Sequence, residues 1–515
     1  MTVRKAFFLG AQPESPLTGL PQSRYLQSSM THSNLHSPVV KSLGVIVLAA
    51  GQGKRMKSSL PKVLHSIAGE PFLHLILLRL RETCPSSPVA IVVGHGREAV
   101  ESSVRADPRF ADMALTFVVQ PEQLGTGHAV RCAMDSDWGK QFTGSSKAIL
   151  VLPGDLPLIR REMLAELIQP LGRTSALRML TTDLVEPTGY GRVIRRGTRG
   201  GVLKIVEEKD ASARERLVRE VATSIYCFAA GFLKSGLSKL RPTNAQNEYY
   251  LTDLVAMASR SKKGIEVLKW EQPEDLRGIN DPWEWSEAGR ILNRRIVREW
   301  ARSGVYFRDP ETVWIDSSVK FAEGVYVEPG VLFRGKTEVG SGAKIGPQCV
   351  LENATIGEGA ALKAGSVIVD SVVGDQSQVG PYAHLRPGSE VGPQSKIGNF
   401  VELKKSRIGR KTSIAHLSYV GDAEVGSEVN IGCGFVTCNY DGQKKHKTII
   451  EDRAFVGSDC QVVAPVTIGQ GAYVASGSTV TENVEADALA IARSRQINKP
   501  GYARVIRGEM PSKEK

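Results

Sequence analysis

Several short apolar runs in this sequence end on glycine, cationic or carboxylate residues, a pattern suited to phosphate chemistry. The run Gly44–Ala49 leads into Leu48-Ala49-Ala50-Gly51-Gln52-Gly53-Lys54-Arg55-Met56, followed by Leu60-Pro61-Lys62-Val63-Leu64. A glycine-rich turn between strand and helix lets backbone N–H groups approach a phosphate, and the helix N-terminus adds positive potential. Met56 stands where a dinucleotide fingerprint needs its third glycine, and no Gly-Lys-Ser/Thr is present, so neither that fingerprint nor a P-loop applies. An ordinary tight turn is the bland alternative; Arg55 and Lys62, two cations within a dozen residues, favour a triphosphate. A second such turn is Gln120-Pro121-Glu122-Gln123-Leu124-Gly125-Thr126-Gly127-His128-Ala129. Then Leu150-Val151-Leu152-Pro153-Gly154-Asp155 ends a run on an acid. A carboxylate there can hold Mg²⁺, which typically takes one or two carboxylates plus substrate phosphates, or it can cap a helix.

The second half offers a different set: Arg386, Lys404, His416, Tyr419, Asn430, Asn439 and Tyr440. They cluster where an otherwise regular repeat is interrupted. A histidine on a strand is more often structural than catalytic. His416 is two positions beyond the inward residue Ile414, cations are near it in sequence, and an unperturbed imidazole titrates near neutrality. Those features raise the odds that it is functional.

The elements that must carry these residues differ between the halves. Gly44–Ala49, Ala90–Val93, Leu115–Val119 and Ile149–Leu152 read as buried strands, and Val63–Thr83 and Gly127–Asp135 as helices. Such alternation predicts an α/β layer with a largely parallel sheet and ligands at the strands' carboxyl ends. Asp281–Ser303, with Trp283, Ala288, Ile291, Leu292, Ile296 and Trp300 at helical spacing, predicts a helical connector whose charge run is a solvated face.

From Val313 the period becomes six. One phase runs through Val319, Val325, Val331, Thr337, Ala343, Cys349, Thr355, Ala361, Val367, Val373 and on to Leu403. It resumes at Ile408, Ile414 and Val420, then at Val425 and Ile431. The stretch Cys438–Lys447 interrupts it before Ile450, Val456, Val462, Ile468, Val474 and Val480. Glycine often follows the apolar residue, as at Gly374, Gly392 and Gly409. A hexad of this kind predicts one short strand and one turn per repeat, stacked into a parallel β-helix whose coils gain stability from their neighbours.

The front-half motifs resemble the sugar nucleotidyltransferases, specifically their uridyltransferase branch. Thr188-Gly189-Tyr190-Gly191-Arg192, Val206-Glu207-Glu208-Lys209-Asp210, Glu248-Tyr249-Tyr250-Leu251-Thr252-Asp253 and Gly278-Ile279-Asn280 extend the likeness. It implies that Arg55 and Lys62 neutralise a triphosphate, that Gln120, Gly125 and Thr126 read uracil, and that Gly191 and Glu207 hold a sugar. It also implies that Asp155 and Asn280 ligate Mg²⁺, with Leu48, Ala49, Ala50, Gly51, Pro153, Gly154 and Ala222 completing the substrate site. Where that family usually has Asn-Thr-Gly, this sequence has Ala222-Thr223-Ser224, so an amide that would contact the sugar is missing.

The rear half is similar to the hexapeptide-repeat acyltransferases. Leu385-Arg386-Pro387-Gly388, Gly398-Asn399-Phe400-Val401-Glu402-Leu403-Lys404-Lys405 and Cys438-Asn439-Tyr440-Asp441-Gly442 carry the likeness. It implies a left-handed β-helix that forms a homotrimer, with acetyl-CoA bound between subunits. By it His416 is the general base, Arg386, Lys404, Tyr419 and Asn430 bind a sugar phosphate, and Cys433, Asn439, Tyr440, Ser458, Ser476 and Arg493 line the acetyl-CoA groove. Cys433 and Ser476 replace the alanines usual in that family. Together the halves resemble a bacterial family of bifunctional enzymes that acetylate glucosamine-1-phosphate and then couple N-acetylglucosamine-1-phosphate to UTP, giving UDP-N-acetylglucosamine. The alternatives are a nucleotidyltransferase whose β-helix only oligomerises it, and a non-enzymatic exchange-factor subunit. The latter kind lacks the set Lys62, Asp155, Asn280 and His416 present here.

A length of 515 residues exceeds one hydrophobic core. The expected division is a disordered extension over 1–41, a Rossmann-like α/β nucleotidyltransferase domain over 42–282, a helical linker over 283–303 and the repeat domain over 304–515. The extension's Ser-rich bias imitates an organellar transit peptide, but a disordered or mis-started segment, with Met30 as an alternative start, is the preferred reading. A net charge of +12 suits nucleotides, sugar phosphates and coenzyme A as well as nucleic acid. No basic stripe with interleaved aromatics is present, so nucleic acid is not expected. The seven cysteines form no C-x-x-C pair, which argues against a disulfide framework or zinc site and fits the cytoplasm. The longest apolar run, Val45–Ala50, is far too short to span a bilayer.

Overall fold

The structure is a computed structural model that describes residues 42–142, 147–197, 200–261 and 263–509. The expectation for residues 1–41 lies outside them. The front half is built on a nine-stranded sheet whose centre is Leu43–Ala49. It pairs in parallel with Val89–Val93 on one side and Ala148–Pro153 on the other. Leu115–Val119 extends the first side, and the antiparallel Glu220–Ala229 follows the second. Side chains alternate between faces at period two. Val45, Val47 and Ala49 enter one core with Ile91 and Leu150, while Ile46 enters the other with Val92 and Val151. Both faces are covered, which is why the central strands read as continuous apolar runs. The chain leaves the central strand for opposite sides of the sheet in turn, so the crevice at the strands' carboxyl ends falls where the glycine turns and Asp155 lie.

One helix is shorter than the sequence suggests. Expected over Val63–Thr83, it spans only Phe72–Thr83. Before it come a 3₁₀ turn, Lys62–Leu64, and a hairpin pairing Ser66–Ile67 with Glu70–Pro71. Ala68 and Gly69 both have positive φ, 48° and 78°, which a helix cannot accommodate. Val63, Leu64 and Ile67 are buried regardless, and so imitate helical periodicity. The connector is a helix over Pro282–Arg302, capped by Asp281, whose side chain accepts from Glu284 N, with Pro282 in its first turn. Its inward face holds Ala288, Leu292, Val297 and Trp300, but Trp283 is 73% exposed and does not belong to it. Arg295 also departs from the expected solvated face, donating to Leu158 O at 2.8 Å and pairing with the buried Asp275 carboxylate.

From Tyr306 onward most strands are two or three residues long and pair in parallel with a strand 17 or 18 residues further on; the first pair is 20 apart and those spanning the interrupting loop are 25 apart. Three hexads therefore close one coil. Each hexad buries two positions, an aliphatic residue and a smaller one two places before it, such as Ser377 with Val379 and Ser395 with Ile397. The expected single phase is corrected here. After Leu351 the next buried aliphatic is Ile356, and after Ile368 it is Val373, so each step is one residue short. The assumed phase thus passes from the small inward position to the aliphatic one. Between the two slips Thr355, Ala361 and Val367 are only half-buried. Longer strands, Lys396–Lys404 and Ser413–Gly421, occur side by side where the polar cluster sits.

Candidate functional sites

In the front half, backbone contacts draw the separated motifs to one corner. Gly154 N donates to Leu48 O at 2.8 Å, and a Cβ on Gly154 would stand 2.9 Å from that oxygen. Ile279 N donates to Asp155 O at 3.1 Å, which brings Asn280 beside Asp155. Lys62 completes the corner: its ammonium donates to Asp155 Oδ2 and, at 2.9 Å, to Asn280 Oδ1. Asn280 is oriented by its own amide donating to Gly278 O and by its backbone N donating to Glu284 Oε2. Asp155 caps no helix, since the next one begins at Arg161 after Arg160. Gly53, with φ of 60°, lies against the Lys62 stem, so a Cβ there would stand 2.7 Å from Lys62 Cβ. Arg55 and Gly51 are exposed beside this corner.

The second glycine turn is tied to the first by Gln123, whose Nε2 donates to Ala50 O at 2.7 Å. No local pattern singles Gln123 out, because its role depends on a partner more than seventy positions away. Gln120 is buried and donates to Gly125 O at 3.1 Å, while Thr126 Oγ1 accepts from Leu251 N. A Cβ on Gly125 would stand 2.9 Å from Tyr249 O, so this turn packs directly on the Glu248–Asp253 motif. Thr252 Oγ1 donates to Glu207 Oε1 at 2.9 Å, and burial raises the Glu207 carboxyl above its ordinary value. Gly191 leaves space for that carboxylate, since its Cβ would lie 3.3 Å from Glu207 Oε2. Ala222 pairs with Gly191 across the sheet, so the residue that departs from the family adjoins the expected sugar residues.

The strand carrying Ala222 loses register between Ala222 and Tyr226, and Ser224 adopts φ of 58°. A left-handed conformation costs a non-glycine residue about 1–2 kcal/mol, partly offset by glycine's greater entropy loss on folding. Ser224→Gly is therefore expected to stabilise the protein by about 0.5–1 kcal/mol. The readout is the urea midpoint of the front-half transition; no gain, or a loss, would show that the serine side chain contributes more than its backbone strain costs.

In the rear half, Asn399 and His416 are register partners on adjacent coils, and His416 Nδ1–H donates to Asn399 Oδ1 at 2.6 Å. This fixes the tautomer and leaves Nε2 free to accept a proton. The row continues along the helix axis. Leu417 O accepts from Gly434 N, Cys433 O from Asp459 N, and Ser458 O from Gly477 N. Ser458 N donates to Ser476 Oγ at 3.2 Å, and a Cβ on Gly477 would be 3.6 Å from Arg493 Cδ. His416, Cys433, Ser458, Ser476 and Arg493 thus occupy one corner on successive coils. Elsewhere on these coils Arg386 pairs with Glu402 at 2.8 Å, and Lys445 crowds Lys404. The Lys445 ammonium, with Arg386 nearby, holds the Lys404 amine below the ordinary lysine value. Three cations drawn together give this region a positive potential suited to an anion. Asn399 and Glu402 carry no role legible in the sequence, and cross-coil pairing reveals them; Lys445 comes to Lys404 from the interrupting loop. Asn439 donates to Asp422 Oδ2 and Tyr440 Oη to Gly442 O at 2.7 Å, ordering the interrupting loop. The Tyr419 ring packs at Gly421, where a Cβ would stand 2.4 Å from its hydroxyl, and Asn430 is exposed on the following coil.

A parallel sheet with cation, carboxylate and glycine turns at its switch point, joined to hexapeptide coils bearing a histidine row, defines a two-part transferase. Residues 45–220 match the MobA-like NTP transferase domain, and 370–405 and 447–482 match the bacterial transferase hexapeptide family of six repeats. Bifunctional protein GlmU of Trichlorobacter lovleyi is 45% identical over 459 residues, 89% of this chain and 97% of its own. The proteins of that name from Pelobacter propionicus (45% over 464 residues; 90% and 98%) and Shouchella clausii (43% over 461; 89% and 98%) are similar throughout. The chain belongs to the family of bifunctional GlmU proteins. It is an enzyme with two activities in UDP-N-acetylglucosamine synthesis, a uridyltransferase in front and an acetyltransferase on a left-handed β-helix behind.

Proposed function

We propose that the residues gathered at the two corners are the machinery of these activities. The observation that carries this reading is the axial row from His416 to Arg493, on the same β-helix as a cluster of three cations. At about 4.8 Å per coil the row spans roughly 19 Å, a length that suits an extended coenzyme arm. His416 Nε2 takes the proton from the amine of glucosamine-1-phosphate as that nitrogen attacks the thioester carbonyl of acetyl-CoA, and the coenzyme thiol leaves. Asn399 holds the imidazole for this. Arg386, Lys404 and Lys445 receive the sugar phosphate, with Tyr419 and Asn430 beside them. Cys433, Asn439, Tyr440, Ser458, Ser476 and Arg493 line the coenzyme groove.

In the front half, an oxygen of N-acetylglucosamine-1-phosphate attacks the α-phosphorus of UTP and pyrophosphate leaves. No covalent enzyme group is required, only alignment and charge neutralisation. The glycine turns Leu48–Gly51 and Gln120–Thr126, with Pro153 and Gly154, hold the nucleotide; Gly191, Glu207 and Ala222 face the sugar. The donor set at Asp155 and Asn280 fits Mg²⁺: two oxygens face one position that the Lys62 ammonium, a stand-in cation, already bridges. Among the described residues no group of three or more His, Cys, Asp or Glu is arranged so that it could hold a metal ion by itself, whereas Mg²⁺ needs only one or two carboxylates beside substrate phosphates. When bound there it would neutralise phosphate charge.

Supporting a homotrimer, Tyr382, Phe400 and Leu417 form an apolar ladder on successive coils, 55%, 57% and 60% exposed, beside the histidine row. The Tyr382 and Phe400 rings stack at 5.7 Å. Second copies of the chain covering this ladder would place the acetyl-CoA site between subunits. The seven unpaired cysteines suit a reducing cytoplasm. Among the described residues no helix is long and apolar enough to cross a membrane. Two assays on purified protein test the whole reading: acetyl transfer to glucosamine-1-phosphate, and pyrophosphate release from UTP with N-acetylglucosamine-1-phosphate. Absence of either activity would reduce it to the other.

Ala222 tests the sugar pocket. A hydrogen bond contributes about 0.5–1.5 kcal/mol net, equivalent to roughly 2- to 12-fold at about 1.4 kcal/mol per tenfold. Ala222→Asn is expected to raise uridyl-transfer efficiency by about that factor, through the sugar phosphate's KM and not through that of UTP. Unchanged or weaker sugar binding would show a pocket rebuilt around alanine.

A further inference from the structure

We infer that Lys62 is a built-in competitor for the metal position, so that the nucleotide must draw this lysine away before the front site can take its divalent ion. The inference rests on the reading of Asp155 and Asn280 as metal ligands. Its observation is that one ammonium donates to both of those oxygens at once, at 2.9 Å from Asn280 Oδ1. The side chains of Lys62 and Asp155 are only 13% and 24% exposed, so water screens this contact poorly.

Mg²⁺ needs oxygens at about 2.0–2.1 Å, and a cation held by the same two oxygens would lie against the Lys62 nitrogen. Asp155 supplies one negative charge and Asn280 none, so the pair cannot neutralise both an ammonium and a divalent ion. The two cations therefore exclude each other from this corner. The lysine has somewhere else to go. It springs from the 3₁₀ turn that follows the first glycine turn, and its stem rests on Gly53, so a triphosphate held by that turn offers the ammonium new anionic partners. Once Lys62 moves to phosphate, Asp155 and Asn280 are released together to the metal. Linkage then makes nucleotide and metal each raise the other's affinity by the same factor. The free enzyme is kept from collecting divalent ions, and the neutral Asn280, a weak ligand by itself, is enough for a site that is completed by substrate.

The test measures Mn²⁺ binding to the nucleotide-free full-length protein by electron paramagnetic resonance, in wild type, Lys62→Met and Lys62→Met/Asp155→Ala. Methionine keeps the length of the stem and removes the charge; thermal melting checks that each variant is folded. Lys62→Met is expected to tighten Mn²⁺ binding by about 5- to 150-fold, the ordinary range of a coupling between sites. The double variant is expected to lose the gain. If folded Lys62→Met binds Mn²⁺ no better than wild type, Lys62 is not a competitor and the inference fails. If the gain appears but survives Asp155→Ala, the ion sits elsewhere, and it is the assignment of Asp155 as a ligand that fails.

Discussion

His416→Ala is expected to lower acetyl transfer by about 10²- to 10⁴-fold, the usual size of a general-base contribution. Uridyl transfer is expected to be unchanged. His416 lies on a β-helix coil bonded to Asn399, and Arg386, Glu402, Lys404 and Lys445 all belong to the rear half, so none of the groups assigned to acetyl transfer comes from the front sheet. The variant also removes a ring that is exposed, so little packing is lost and the coils remain stacked. The measurement is the pair of initial rates in the two assays, on protein whose melting temperature matches wild type. A parallel fall of both activities would contradict two separate sites. An acetyl rate within a few-fold of wild type would move the proton to another acceptor.

Asp155→Ala is expected to abolish uridyl transfer at ordinary Mg²⁺ and to leave acetyl transfer intact. Two losses coincide in that variant: the only carboxylate among the described residues that bonds Lys62 disappears, and the Lys62–Asn280 bond loses its shared neighbour. Acyl transfer to an amine has no polyphosphate to neutralise and so has no use for this corner. Asp155→Asn separates charge from shape. It keeps the side-chain volume, so a purely structural Asp155 would leave it active, whereas a ligand or charge partner would not. Retention of uridyl transfer in either variant would make Asp155 a structural residue.

The alternating cores of the front sheet were legible because Ile46, Val92 and Val151 share one face and Val45, Val47 and Leu150 the other, and period two is visible in any parallel strand buried on both sides. The hexads were legible for a similar reason, since each coil buries an aliphatic residue on its own. Their phase was not. Thr355, Ala361 and Val367 are small or apolar like the inward residues, so two shortened turns pass unnoticed unless the strand pairing is known. The hairpin at Ser66–Pro71 was hidden because Val63, Leu64 and Ile67 are buried at spacings a helix would also give. Among the site residues, Lys62, Asp155 and Asn280 stand in separate motifs, and the structure brings them within one set of hydrogen bonds. Which partner Lys62 takes is a matter of geometry across more than two hundred positions of chain, and no local pattern encodes it.

The row of equivalent corners from His416 to Arg493 also bears on how the rear half comes apart. A stack in which each coil touches only its neighbours loses order from its ends, and the last coils are held on one side alone. On the proposed reading Arg493 lies at that fraying end and His416 well inside it, so the grip on the coenzyme's far end melts before the base that uses its thioester. A coenzyme laid along the row would act as a splint across the final coils, tying an intrinsically loose end to a firm interior. Its binding free energy is then added to the stability of the segment least able to supply its own, and starvation for acetyl-CoA would leave the tail of the coil stack the first part open to proteolysis.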